Sequence, residues 1–111
     1  MAYRTIVYEE RDRIGSITLN RPEKRNALSL ELLREMDECL QDVGKKRSVK
    51  VLIVRGRGGH FCAGHDLNEI REGTLPDIHG LFETCLQLMM RIQQVPQPVI
   101  AQVRGTATAA G

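Results

Sequence analysis

The chain has 111 residues, 41% of them hydrophobic and 27% charged, which allows one domain (1–111) and excludes a disordered or low-complexity chain. Its 16 basic and 14 acidic residues leave a net charge of +2, too balanced to make nucleic acid or an anionic membrane the expected partner. No apolar run approaches bilayer length, Arg4, Glu9 and Glu10 stand where a signal peptide needs an apolar stretch, and Cys39, Cys62 and Cys85 form no C-x-x-C pair. Buried free thiols, no membrane partner and a cytoplasmic location are the expectations.

Tyr3 to Tyr8 and Ile14 to Leu19 are β-rich runs separated by Glu9-Glu10-Arg11-Asp12-Arg13, which reads as an antiparallel hairpin with a somewhat long turn. Asn20-Arg21-Pro22 ends the second strand, because proline has no N–H to donate to a ladder. A helix is predicted from Ser29: Leu30, Leu33, Met36, Leu40 and Val43 recur at helical spacing, Ser29 caps, and Gly44 ends it ahead of Lys45-Lys46-Arg47. Val49 to Arg55 is apolar at Val51-Leu52-Ile53-Val54, the pattern of a strand covered on both faces.

A glycine-rich loop leads to Leu67, where a helix is predicted to start because Asp66 and Glu69 have capping-box spacing. Ile78, Leu81, Phe82, Cys85, Leu86, Met89 and Ile92 mark another amphipathic helix, ended by Pro96 and Pro98, and Val99 to Val103 begins a further buried strand. Strand alternating with helix is the order of βαβ units, so the fold class is α/β. Gly105 to Gly111 reads as the beginning of another loop and helix, which leaves part of the sheet and helix surface without cover.

The segment Gly56 to Ile70 is the most informative. Backbone donors at the predicted helix start attract negative charge, and its glycines let a ligand approach the main chain. It is an anion or oxyanion site candidate, with a ligand-free strand-to-helix turn as the alternative. A G-x-G-x-x-G reading fails at Phe61, and a phosphate-binding P-loop lacks its lysine followed by Ser or Thr. The small-residue run Thr106 to Ala110 could bring N–H groups close to a substrate, so that two loops leaving neighbouring strands aim two donors at one oxygen; tight helix packing is the alternative. In the loop Asn20 to Ser29, Lys24 and Arg25 could pair with phosphates or simply be solvated. His60, His65 and His79 show no metal-ligand spacing, so no metal is expected.

These three blocks, in this order, resemble the crotonase superfamily, the enoyl-CoA hydratase/isomerase family. NRPEKRNALS resembles its N-R-P-x-x-x-N-A-L loop, HFCAGHDLNEI its F-x-A-G-x-D-L segment, and PVIAQVRGTATAAG its P-V-I-A-x-x-x-G-x-A-x-G-G-G segment, the T-A-A-G variant being most similar to one subgroup of hydratase-like domains. The resemblance implies a crotonase-like ββα spiral, here its N-terminal part, with a parallel sheet core, flanking helices and an N-terminal hairpin. It implies an acyl-CoA thioester substrate and no cofactor other than the coenzyme A it carries, and a homotrimer or hexamer for the full-length protein.

By the same resemblance, the backbone N–H groups of His65 and Ala110 form the oxyanion hole for a thioester enolate, nominally during hydration of a 2-enoyl-CoA. Isomerase, thioesterase, dehalogenase and decarboxylase chemistry are its alternatives and, from a different class, a non-catalytic or RNA-binding crotonase-fold protein. Coenzyme A is gripped by Ala63, Gly64, His65, Asp66 and Leu67 and by the loop of Lys24, Arg25 and Ala27. Ala109 and Ala110 stand where the family has glycines, which is tolerable only if neither needs a positive φ. The family's first catalytic glutamate falls after Gly111, so no general acid or base is assigned. One crotonase-fold group binds RNA; the only candidate patch for that here, Gly44 to Lys50, lacks interleaved aromatics.

Overall fold

The computed structural model describes residues 2–111. Strands β1 (Ile6–Arg11) and β2 (Ile14–Leu19) form the hairpin, paired antiparallel from Ile6 opposite Leu19 to Arg11 opposite Ile14. The long turn expected over Glu9 to Arg13 is a two-residue turn instead. Asp12 and Arg13 both take positive φ, 52° and 68°, the backbone twist that suits a tight hairpin. Glu9, Glu10 and Arg11 finish β1, because an edge strand tolerates charged side chains that face water while its backbone still pairs.

Helix α1 (Leu30–Gly44) follows a single 3-10 turn at Pro22–Lys24, and Ser29 caps it by accepting from Leu32 N at 3.2 Å. Strand β3 (Val51–Gly56) then pairs parallel to β2, and β4 (Val99–Gln102) parallel to β3, giving the sheet order β1-β2-β3-β4. Between them run the short α2 (Leu67–Glu72) and the long α3 (Leu75–Gln94). This is the expected hairpin joined to a parallel α/β core.

One face of the sheet holds the core. Ile6, Ile17, Leu19, Leu52 and Val54 pack with Leu32, Leu33, Met36, Leu40 and Val43 of α1 and with Leu81, Cys85 and Leu88 of α3. Leu32, Leu33 and Leu40 are fully buried, each contributing about 1.5–3 kcal/mol relative to exposure. The expectation that β3 is covered on both faces is not met: α1 and α3 lie against the side of Leu52 and Val54, and Val51 and Ile53 on the other side are only half-buried. Likewise α3 is apolar over more of its circumference than it buries. Phe82, Leu86 and Met90 remain exposed, while Leu88, absent from the predicted stripe, is in the core.

Two polar devices hold the helices. Thr74 and Asp77 form a capping box at the start of α3, and Asp37 and Arg91 pair between α1 and α3. Gln97, buried after α3, donates its amide to Val43 O in the last turn of α1 and to Lys46 O and Val49 O in the segment between α1 and β3, tying the two together. All three cysteines are free and buried. Burial pushes their thiols up, Cys39 to about 11, which keeps them protonated and unreactive.

Candidate functional site

The site begins with a polar loop that the core cannot do without. Asn26 is fully buried: its Oδ1 accepts from Arg21 N at 2.8 Å, and its Nδ2 donates to Arg57 O at 3.1 Å and His60 O at 2.8 Å. Arg25 and Asn26 both adopt left-handed backbone, φ 52° and 56°, which folds the loop back on itself. Arg21 reaches across it, donating Nη1 to Ala27 O at 2.6 Å and Nη2 to Asp66 Oδ2 at 3.1 Å, with both charged side chains largely buried. At the end of β3 only glycine fits at position 56, since a Cβ there would meet His60 O, Phe61 O and Asn26 Nδ2 at 2.5–2.8 Å.

This frame fixes the segment Ala63 to Leu67. Ala63 N donates to Arg25 O, and Leu28 pairs with it in parallel fashion, its N–H to Gly64 O at 2.7 Å and its carbonyl to Asp66 N at 3.0 Å. In such a pairing the residue between, His65, turns its own N–H to the opposite side. The loop after β4 arrives on that side. Phe61 N and Cys62 N both donate to Thr106 O, Thr108 N donates to Cys62 O, and His60 Nδ1 meets Thr106 Oγ1 at 2.9 Å.

The two loops meet at Gly64, whose φ is 89°. A Cβ added there would lie 3.1 Å from Ala109 Cβ and Thr108 O and 3.7 Å from Ala110 N. The N–H groups of His65, Ala109 and Ala110 make no hydrogen bond to any described residue, whereas those of Ala63, Asp66, Thr108 and Gly111 nearby all donate. Ala109 takes φ 51°, so the condition read from the sequence, that neither alanine needs a positive φ, fails at this position. The tight reversal beside Gly64 imposes that backbone despite a strain of about 1–2 kcal/mol for a residue with a Cβ.

Asp66 accepts from Asn68 N at 3.0 Å and Glu69 N at 3.4 Å, so it caps α2 as predicted, but the capping box is incomplete. The Glu69 carboxylate turns instead to Leu30 N at 2.9 Å, where the start of α1 offers an open donor. Lys24 and Arg25 are exposed on the loop, Ala27 is half-buried, and Leu67 is 76% exposed. The His65 ring sits edge-to-face on Phe82, centroids 4.6 Å apart, and burial holds its pKa below 6.5. An apolar cavity of about 240 Å³ adjoins the site, lined by Leu28, Phe61, Cys62, Met89 and Ala110 among others.

Arg21 and Asn26 are the residues that sequence reasoning passed over in favour of Lys24 and Arg25. The available signal was a hydrogen-bonding side chain, Arg21 and Asn26, on either side of a proline-containing loop. His60 is engaged with Thr106 and His79 faces Glu83, and no described group of three or more His, Cys, Asp or Glu residues is placed to hold a metal.

A sheet with two loops converging beyond its strand ends, both presenting unused N–H groups, is the ligand-binding arrangement of an open α/β domain. Residues 9–111 match the family model described as enoyl-CoA hydratase/isomerase, and the chain belongs to that family. It is 43% identical over 101 residues to the human protein named enoyl-CoA hydratase domain-containing protein 3, mitochondrial, covering 90% of this chain and 33% of that one. It is 37% identical to the 1,2-epoxyphenylacetyl-CoA isomerase of Escherichia coli strain K12, covering 88% of this chain and 39% of the relative. The crystal structure of an enoyl-CoA hydratase from Mycobacterium smegmatis superposes with a TM-score of 0.92 at 39% identity, over 97% of this chain and 43% of that one. The chain thus spans roughly a third to two-fifths of the curated relatives it matches.

The expected cytoplasmic location is corrected by these relatives, since the human protein and its mouse and zebrafish counterparts all carry the word mitochondrial in their names. Free buried thiols do not distinguish one reducing compartment from another. No helix among the described residues is long and apolar enough to cross a membrane.

Proposed function

We propose that this chain is the acyl-CoA-binding and enolate-stabilising part of a family enzyme whose nominal reaction is addition of water to a 2-enoyl-CoA. The observation that carries the reading is the pair of unused amides, His65 and Ala110, on loops that meet at Gly64. A thioester carbonyl oxygen placed between them accepts from both. When water adds at the β carbon, electron density moves onto that oxygen and both hydrogen bonds strengthen, each worth about 3–4 kcal/mol to the transition state. Coenzyme A enters as part of the substrate, its pantetheine along the backbone from Ala63 to Leu67 and its phosphates near Lys24 and Arg25. The adjoining apolar cavity is of a size to admit a short acyl chain.

Hydratase and isomerase names both occur among the relatives, and enolate stabilisation serves either reaction. The carboxylates at the site are already engaged, Asp66 with Arg21 and the start of α2, Glu69 with Leu30 N. Neither is free to move a proton, so the 111-residue chain by itself binds the thioester without turning it over. Calorimetric titration with butyryl-CoA and with free CoA tests the reading: the thioester should bind more tightly, by the contribution of its carbonyl. Equal affinity for the two, or measurable hydration of a 2-enoyl-CoA by this chain alone, would sink it.

A further inference from the structure

We propose that the groove between the free edge of β1 and the second half of α1 docks an extended, basic peptide segment of a partner protein, which joins the sheet as a further strand beside β1. The groove lies at the opposite edge of the sheet from the loops that follow β3 and β4, so the proposal stands apart from the oxyanion reading.

The phase of the hairpin supplies the backbone groups. Its two-residue turn makes Arg11 and Ile14 a doubly hydrogen-bonded pair, and at the other end Asn20 N donates to Thr5 O at 2.8 Å. Such pairs alternate along antiparallel strands, so Tyr8 and Glu10, which lie between them, turn N–H and C=O away from β2. No other described residue takes those groups, and Tyr8 is only half-buried and Glu10 exposed. An open edge of this kind is a template for another strand.

Beside that edge is room for side chains. A groove of about 500 Å³ runs between β1 and one face of α1, where Cys39, Asp42, Val43 and Lys46 follow one another at helical spacing. Ile6 and Val43, both buried, give it an apolar floor. The Tyr8 ring leans away along the hairpin: a Cβ on Gly15 would meet its Oη at 2.8 Å, and that hydroxyl donates to Glu10 Oε1 at 2.9 Å. Lys46 Nζ, 2.6 Å from the same Glu10 oxygen, closes the groove at that end. Residues opposite each other on paired strands share a face, so partner residues opposite Ile6 and Tyr8 send their side chains into the groove.

Charge selects the occupant. Glu10 neutralises Lys46, whereas Asp42 on the groove wall and Glu38 one turn earlier are exposed and make no ion pair among the described residues. The unmatched charge is negative, and a lysine or arginine opposite Ile6 complements it. A second copy of this chain fits badly, because antiparallel pairing of two β1 strands about Tyr8 would set Glu10 opposite Ile6, on the side of Asp42.

The test uses the 111-residue chain and a fluorescein-labelled peptide, acetyl-Thr-Val-Thr-Lys-Thr-Val-Thr-amide, which reads the same in either strand direction and presents Val, Lys and Val on one face. A version with Glu in place of Lys is the charge control. Fluorescence anisotropy should give a Kd below about 1 mM for the lysine peptide and binding at least about tenfold weaker for the glutamate peptide. Asp42→Lys, an exposed substitution near the C-terminus of α1, should reverse that order. At saturation the lysine peptide should slow hydrogen exchange of the Tyr8 and Glu10 amides and leave those of His65 and Ala110 unchanged. The proposal is overturned if the native chain binds neither peptide at millimolar concentration, if Asp42→Lys keeps the native preference, or if the protected amides lie elsewhere. Protection of Tyr8 and Glu10 that rises with protein concentration in the absence of peptide would also overturn it, by assigning the edge to a second copy.

Discussion

Arg21 Nη2 lies 3.1 Å from Asp66 Oδ2, and this buried ion pair ties the loop before α1 to the N-terminus of α2 across 45 residues of sequence. The same guanidinium holds Ala27 O at 2.6 Å, so its two arms join the polar loop to the segment that presents the His65 amide.

Removing one partner of such a pair leaves a charge buried and uncompensated. Arg21→Met should destabilise the chain by about 3–5 kcal/mol in urea denaturation. Arg21→Lys should recover only part of that, since one ammonium cannot reach both acceptors in the planar geometry of the fork. Full recovery by lysine would mean that charge alone matters and the fork does not.

Gly64 and Ala109 make opposite predictions, although both have positive φ. Gly64→Ala places a methyl group 3.1 Å from Ala109 Cβ and Thr108 O and should abolish thioester binding while costing about 2 kcal/mol or more. Ala109→Gly relieves left-handed strain but frees the unfolded chain, so its net effect on stability should stay within about 1 kcal/mol of zero. Thermal melts of the two variants, with butyryl-CoA titrations beside them, test the pair together.

Stability should also fall in acid through Glu35. Burial alone would raise its pKa, but hydrogen bonds from Arg4 N at 2.9 Å, Thr5 Oγ1 at 2.6 Å and Thr5 N at 2.8 Å outweigh it and hold the carboxyl below 4.5. A carboxyl lowered in the folded state stabilises fully above its unfolded pKa and loses that contribution as pH drops through the folded value. Glu35→Gln should therefore cost about 1.5–3 kcal/mol near neutral pH and flatten the decline below the ordinary carboxylate pKa. Denaturation midpoints at a series of pH values would show it, and parallel native and mutant curves would count against it.

Lys24 and Arg25 are exposed, and neither makes an ion pair among the described residues. Replacing both with alanine should leave folding within about 0.5 kcal/mol of native. CoA binding should weaken severalfold and lose much of its salt dependence, because exposed charges act on phosphates through a screened field. Affinity unchanged across a salt series would assign them to solvent.

The sequence by itself determined the local elements and the family. Helical spacing from Leu30 to Val43, the cap at Ser29, the apolar run of β3 and the three matched blocks depend only on neighbours along the chain. Tertiary structure decided what those elements do with their remaining polar groups. Glu69 had the right spacing for a capping box, yet its carboxylate went to Leu30 N, which is near only once α1 and α2 are side by side. Asn26 reads as one polar residue among several in a cationic loop. Its burial and its bonds to Arg57 O and His60 O arise only because the end of β3 passes beneath it. Ala109 was forced into a left-handed conformation by the approach of Gly64, a contact spanning 45 residues. The physical reason is common to all three: a side chain or a backbone angle answers to whatever the packed chain brings within reach, and sequence spacing ranks only the neighbours that are local.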